Sequence, residues 1–294
     1  MTDLYLFDDA PATTYGLDKA LGKYRFPPPP GVTTKQSTWM RATNLVGAFS
    51  DQRALQLWLE RMTMLGLLAN DGVLFDELAV SGVEQMAPEA QRAYLETMAK
   101  SARSVVGGDS GARKGTARHD MLDHYISTGE RRGHGRMGLQ LESLLAALES
   151  HELDIIPGTQ EVHLWHPASG GTVGRRDCLV MCRRTGQAGL LDLKTQERFW
   201  TYQEHAGQQA IYHDAPWRWL PEEQRWSVNE SSIVPSLLGR PGGADPGHPV
   251  ALLAHMPSKG EALPVELHEL SIGYGLEVVE CAVRNVQLRL TTPD

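Results

Sequence analysis

The segment GRRDCLVMCRRTGQAGLLDLKT, residues 174–195, decides how this chain folds. DCLVMC (177–182) and AGLLDLKT (188–195) read as two short strands, and RRTGQ between them carries the glycine of a hairpin turn. Side chains alternate faces along a strand. Leu191 and Leu193 therefore share one face, and Asp192 and Lys194 share the other. Asp177 opens the earlier strand and can lie across from Asp192. Two carboxylates and a lysine then converge at one end of a sheet.

Outward from this hairpin, TQEVHLWHP (159–167) alternates and reads as a preceding strand. A helix over about Trp200–Ala215 follows, then a Gly/Pro-rich loop insertion at 221–249. PVALLAHMP (249–257) and VELHELS (265–271) are late strands, and 273–290 is a closing amphipathic helix. On the N-terminal side, 138–150 (GLQLESLLAALES) and Thr116–Ser127 are helices, with GGDSGARKG (107–115) as a loop. Residues 74–106 are helical. So are 38–66, as two helices, with Leu55, Leu57, Trp58, Met62 and Leu65 at three- and four-residue spacing. Ser50 or Asp51 can cap the second of these. Residues 1–35 read as irregular, with PPPPG (27–31) extended. There is no internal repeat. The order predicts an α+β or α/β fold with helices flanking a small mixed sheet. It predicts one domain over 36–294, mainly helical through 150 and built on the sheet from 157.

Composition narrows the class. The chain has 294 residues, 41% hydrophobic and 22% charged, which excludes wholesale disorder and fibrous structure. No apolar run reaches the roughly 20 residues that span a bilayer. The opening MTDLYLFDDAP lacks the apolar stretch of a secretory signal. Cys178, Cys182 and Cys281 have no zinc-type spacing, so a reducing, cytoplasmic setting is expected. The net charge of −8 weighs against nonspecific coating of nucleic acid. Seven lysines among 28 basic residues leave 21 arginines, clustered at Arg131–Arg132–Arg136, Arg175–Arg176 and Arg183–Arg184. Such clusters are either phosphate-binding forks or solvated surface charge.

The Asp177–Asp192–Lys194 set suits metal-assisted phosphodiester hydrolysis. Carboxylates hold Mg²⁺ or Mn²⁺, and a neighbouring lysine orients or deprotonates water and offsets transition-state charge. The plainer reading of an Asp–Lys pair is an exposed ion pair of little energetic weight. Gln208 and Tyr212 lie four apart and share one helix face. His119, Leu122 and Ile126 form a stripe, so His119 is either a core-edge histidine or a further ligand, with Asp123 one turn on able to orient it.

Taken in order, GTARH (115–119), G-x-x-D (174–177), LLDLKT (190–195) and Q-x-x-x-Y (208–212) resemble the PD-(D/E)XK nuclease superfamily, in its RecB-like branch with many phage exonucleases. The resemblance covers roughly residues 36–290. It implies a restriction-endonuclease-like core and a Mg²⁺ or Mn²⁺ site made by His119, Asp177, Asp192 and the carbonyl of Leu193. It casts Asp177, Asp192 and Lys194 as catalytic. Gln208, Tyr212, Thr195, Arg175 and Arg176 would lie beside DNA or support the site, and Glu161 would help the metal or water. The cysteines do not fit the iron–sulfur cluster of some relatives, so none is expected, and no G-x-x-x-x-G-K-[ST] motor motif occurs. The activity implied is a DNA exonuclease leaving 5′-phosphates, in recombination, replication or processing of phage type. DNA strands or ends are the substrate, a recombinase or single-strand-binding protein is a candidate partner, and oligomers occur among relatives. The cytoplasm of a bacterial or phage-infected cell is the expected setting. An endonuclease of the same fold and a catalytically silent DNA-binding protein are the competing readings.

Overall fold

The computed structural model describes residues 15–18, 21–49, 53–69, 72–108, 110–133, 135–196, 202–229, 250–257 and 264–291. Among these residues the fold is mixed α/β, with helices α1 (Ala42–Gly47), α2 (Arg53–Leu68), α3 (Val73–Val80), α4 (Pro88–Val105), α5 (Ser110–Thr128), α6 (Arg136–Ser150), α7 (Tyr202–Asp214) and α8 (Ile272–Thr291). No described helix is long and apolar enough to cross a membrane.

The site is built on a five-stranded mixed sheet. Its members are β4 (Leu153–Ile155), β7 (Cys178–Cys182), β8 (Gln187–Lys194), β11 (Val250–His255) and β12 (Glu266–Ser271), in the order β12-β11-β8-β7-β4. β7 and β8 form the hairpin read from the sequence, with Cys178 opposite Leu191. β8 and β11 run parallel, with Asp192 beside Leu253 and Lys194 beside His255. The odd-numbered leucines of β8, Leu191 and Leu193, pack with Met121 and Leu122 of α5 and with Leu141, Leu144 and Leu148 of α6. On the opposite face Leu190, Leu179 and Ala251 pack with α1, α7 and α8. Both faces are covered, so β8 reads as a nearly continuous apolar run, and each buried leucine contributes about 1.5–3 kcal/mol. Asp192 and Lys194 interrupt that run.

A second sheet differs from the single small sheet expected. It has seven strands in the order β1-β2-β3-β6-β5-β9-β10. These are β1 (Gly16–Asp18), β2 (Lys23–Arg25), β3 (Thr38–Arg41), β5 (Val162–His166), β6 (Thr172–Arg176), β9 (Trp217–Leu220) and β10 (Arg225–Val228). Its core is aromatic: Tyr24, Phe26, Trp39, Trp165, Trp219 and Trp226, with Val173. Residues 1–35, expected to be irregular, thus supply β1 and β2. Thr38–Arg41, expected to open a helix, is instead a strand paired with β2 and with β6. Trp39 explains that switch: it is fully buried and its indole N–H donates to the Phe26 carbonyl at 2.9 Å. The start of the expected 221–249 loop forms β10, because Trp226 pairs with Trp219 across the ladder. Residues 230–249 lie outside the described residues.

The helices also shift. The expected 74–106 stretch breaks at Gly82, in the left-handed region at φ 63°, and α4 restarts with Pro88 in its first turn. α5 begins at Ser110, six residues before the expected start, so most of GGDSGARKG is helical. α2 packs on α4 through Gly66, where a Cβ would lie 1.9 Å from the Ala102 carbonyl oxygen. Its apolar residues Leu55, Leu57, Trp58 and Leu65 are exposed, so their helical spacing does not mark a core face. The expected cap, Ser50 or Asp51, lies outside the described residues.

Candidate metal centre

The two sheets part company at Asp177. β6 ends at Arg176 in one sheet and β7 begins at Cys178 in the other, so the β7–β8 ladder stops at the pair Cys178–Leu191. The amide of Leu193 then lacks a strand partner on that side. It donates to Oδ2 of Asp177 at 2.6 Å, and this bond sets the carboxylate in place. The Leu193 N–H thus positions Asp177.

Asp192, two residues along from Leu190 on the same face, is 2% exposed, and its Oδ2 lies 2.6 Å from Lys194 Nζ. Nζ also donates to Oε1 of Gln208 at 3.2 Å, and Gln208 Nε2 donates to the Tyr212 hydroxyl at 2.8 Å. α7 therefore holds the lysine from one side of β8. α5 closes in from the other. Nδ1 of His119 lies 3.4 Å from Asp177 Oδ2. His119, Glu161 and Asp177 each offer a ligand atom within 4.8 Å of the other two. Glu161 sits just ahead of β5, at φ 56°, with its amide donating to the Asp177 carbonyl at 2.9 Å. Its Oε2 faces Arg175 Nε at 2.6 Å.

Two glycines of the sequence motifs make these approaches possible. A Cβ on Gly174 would lie 2.1 Å from Cε1 of Tyr212, so the tyrosine ring rests on bare backbone. A Cβ on Gly115 would lie 2.8 Å from Oγ1 of Thr195, so α5 can reach the end of β8.

Charge is concentrated here. Burial and the neighbouring charge of Asp192 push Asp177 up to about 6, against the pull of His119, Lys194 and the Leu193 amide. Burial raises Glu161 as well, and Arg175 opposes it. Burial alone would lower Lys194, but Asp192 and Asp177 outweigh it and hold the ammonium charged. A bound cation would relieve this mutual repulsion and hold the carboxylates ionised.

These groups open onto a cleft of about 590 Å³ lined by His119, Glu161, Arg175, Asp177, Asp192, Lys194, Thr195, Gln208 and Tyr212. Tyr24, Arg41, Thr43, Asp120 and Asp123 also line it. Tyr24 and Arg41 lie in strands that the sequence reading left irregular or helical, and no local pattern marks them. Asp123 lines the cleft, but the carboxylate that faces the His119 ring within 4 Å is Asp177.

One expectation is corrected. Arg176 does not face the cleft: it is 2% exposed, its Nε donates to the Thr159 carbonyl at 3.3 Å, and burial followed by Arg218 lowers its pKa to about 10. Strand alternation sends Arg175 outward and Arg176 inward. Tyr212 is buried and accepts the Gln208 side-chain bond, so of the two roles expected for it the structure favours supporting Gln208 over meeting DNA. Cys178 and Cys182 lie buried in β7, and Cys281 is exposed.

Neither a family model nor a curated protein sequence matches the chain.

Proposed function

We propose that the chain is a divalent-metal-dependent DNA exonuclease of the PD-(D/E)XK type, hydrolysing phosphodiester bonds to leave 5′-phosphates. The observation that carries this reading is the meeting of Asp177, Asp192 and Lys194 at one end of β8, with His119 and Glu161 facing them. The order of motifs along the chain supports the RecB-like branch and, with it, action on DNA strands or ends during recombination, replication or processing of phage type. A recombinase or single-strand-binding protein is the natural partner, and a bacterial or phage-infected cytoplasm the setting.

The donor set fits a hard or borderline cation: carboxylates of Asp177, Asp192 and Glu161 with one imidazole. His119, Asp177, Asp192 and the Leu193 carbonyl would hold Mg²⁺ or Mn²⁺, with Glu161 beside them. When bound, such an ion supplies Lewis-acid polarisation of a phosphoryl oxygen and lowers the pKa of water. Lys194, held protonated by two carboxylates, stabilises charge on the phosphoryl oxygens. Gln208 fixes where Nζ points, and Tyr212 fixes Gln208. Arg41 and Arg175 on the cleft wall are placed to meet backbone phosphates.

The test compares linear with closed circular plasmid in Mg²⁺ or Mn²⁺. Linear DNA is expected to be lost and closed circles to persist. The products should accept label from a polynucleotide kinase only after phosphatase treatment. Nicked circles would replace this reading by an endonuclease, and no change with either ion would leave a DNA-binding protein without catalysis.

A further inference from the structure

One strand over from Lys194, a second group of metal-type ligands lies on the β11–β12 edge of the five-stranded sheet. His255 ends β11 directly opposite Glu266, which begins β12, and His268 follows Glu266 by two residues on the same face. Directly opposed and diagonal side chains on one sheet face stand about 5 and 7 Å apart at Cβ, within reach of a shared ion. One ligand atom from each of His255, Glu266 and His268 lies within 4.8 Å of the other two.

Three features set this group apart from an ordinary polar ladder. First, Nε2 of His268 and Oε2 of Glu266 are 3.4 Å apart, long for a charge-assisted hydrogen bond. Bonds of about 2.0–2.1 Å to a tetrahedral ion set ligand atoms about 3.3–3.4 Å apart, so the two groups can share a zinc-sized centre without moving. Second, Nε2 of His255 lies 2.9 Å from the Gln196 carbonyl. A metal-bound histidine characteristically gives its second ring nitrogen to such a carbonyl, which fixes the orientation of the ring. Third, access is graded. His255 is buried, His268 is partly open and Glu266 is exposed, so an aqueous ion can approach from the sheet edge.

We propose that His255, Glu266 and His268 form a zinc-class site, separate from the carboxylate-rich centre at Asp177. Two imidazoles and one carboxylate favour a borderline ion over Mg²⁺, and three protein ligands leave the fourth tetrahedral position to water. The ion would clip edge strand β12 to β11. This inference does not rest on nuclease activity.

The experiment titrates Zn²⁺ into the metal-free chain at neutral pH in a large excess of Mg²⁺, with a chromogenic zinc chelator as competitor. One tight equivalent is expected, with a rise in Tm on loading. His268→Ala and, independently, Glu266→Gln should weaken that equivalent by more than the roughly 10–100-fold that losing a supporting partner alone costs. Asp192→Asn should leave it in place. Glu266→Gln changes an exposed side chain while keeping its shape, so a folding defect does not obscure the result. Absence of a tight equivalent, its survival in both edge variants, or its loss in Asp192→Asn alone would overturn the assignment.

Discussion

Lys194 Nζ lies 2.6 Å from Asp192 Oδ2, on the same face of one strand and two residues along from it. The aspartate is almost wholly buried, so the lysine is its charge partner as well as a cation aimed at the cleft. Because the surrounding carboxylates hold Lys194 protonated, the role proposed for it in cleavage is charge placed against the phosphoryl group.

Lys194→Ala is therefore expected to lower DNA cleavage by about 10²–10³-fold, the scale of removing one preorganised electrostatic donor. The metal-free variant should also melt earlier, since Asp192 loses its buried partner, and divalent ions should restore more stability to it than to the wild type. Cleavage assays and thermal unfolding by circular dichroism check both halves. Wild-type cleavage rates in the variant would remove Lys194 from the chemistry.

Asp177 titrates near 3.8 when unfolded and near about 6 in the folded, metal-free chain. The folded state holds the proton more tightly. The stability this contributes is complete below pH 3.8 and is lost as pH rises through about 6. Relative to Asp177→Asn, the metal-free wild type should thus lose stability across that window and stay level above it. Ligation needs the ionised carboxylate, so Mn²⁺ binding below about pH 6 should release a proton. Melting curves of both chains in chelator, and calorimetry in buffers of different ionisation enthalpy, measure these effects. A flat difference between the two chains would contradict the assigned titration.

His119→Ala is expected to weaken Mn²⁺ more than Mg²⁺, because imidazole suits the softer ion. Its ring faces Asp177 at 3.4 Å from the middle of α5. Calorimetric titration with each ion distinguishes the outcomes: equal losses would make His119 a packing residue at the cleft wall.

The centre of the fold was legible because its signals are local. The DCLVMC–RRTGQ–AGLLDLKT hairpin carries its own turn, and strand alternation places Asp192 and Lys194 together without reference to the rest of the chain. The seven-stranded sheet was not legible, because its pairings are short and distant. Met40 of β3 pairs with Thr172 of β6, and no local period announces a contact between such separated residues. The same limit hid Tyr24 and Arg41 on the cleft wall. α2 misled in the other direction, since Leu55 and Trp58 recur at helical spacing yet face outward. Glu161 was read as part of the 159–167 strand, with a metal or water role only through the resemblance, and it lies just ahead of β5. It sits near His119 and Asp177 with a positive φ that no local pattern announces.

Gly174→Ala tests whether the glycine of G-x-x-D acts through packing. The added methyl would sit 2.1 Å from the Tyr212 ring, so the ring must shift, and with it Gln208 and Lys194. Overpacking of this kind costs about 1–3 kcal/mol. The variant should lose stability and activity together, and replacing Tyr212 as well by the smaller leucine should recover stability but not the Gln208 anchor. Unchanged melting of Gly174→Ala would show that the ring does not rest there.

Neighbouring Arg175 and Arg176 should separate DNA binding from folding. Arg175 has a side chain 51% exposed on the cleft wall, paired with Glu161, whereas Arg176 is buried and donates to the Thr159 carbonyl. In an Asp192→Asn background, which spares the substrate, Arg175→Ala is expected to weaken binding to all sequences alike. It should reduce the slope of log affinity against log salt by about one, as loss of a single phosphate contact does, and leave Tm unchanged. Arg176→Ala should do the reverse. It removes a buried, charged hydrogen bond at a cost of about 2 kcal/mol and leaves the salt slope intact. Fluorescence anisotropy on short duplexes across a salt series, set beside thermal melts, reads both quantities in each variant. A shifted salt slope in Arg176→Ala with a normal melt would place that guanidinium at the DNA after all.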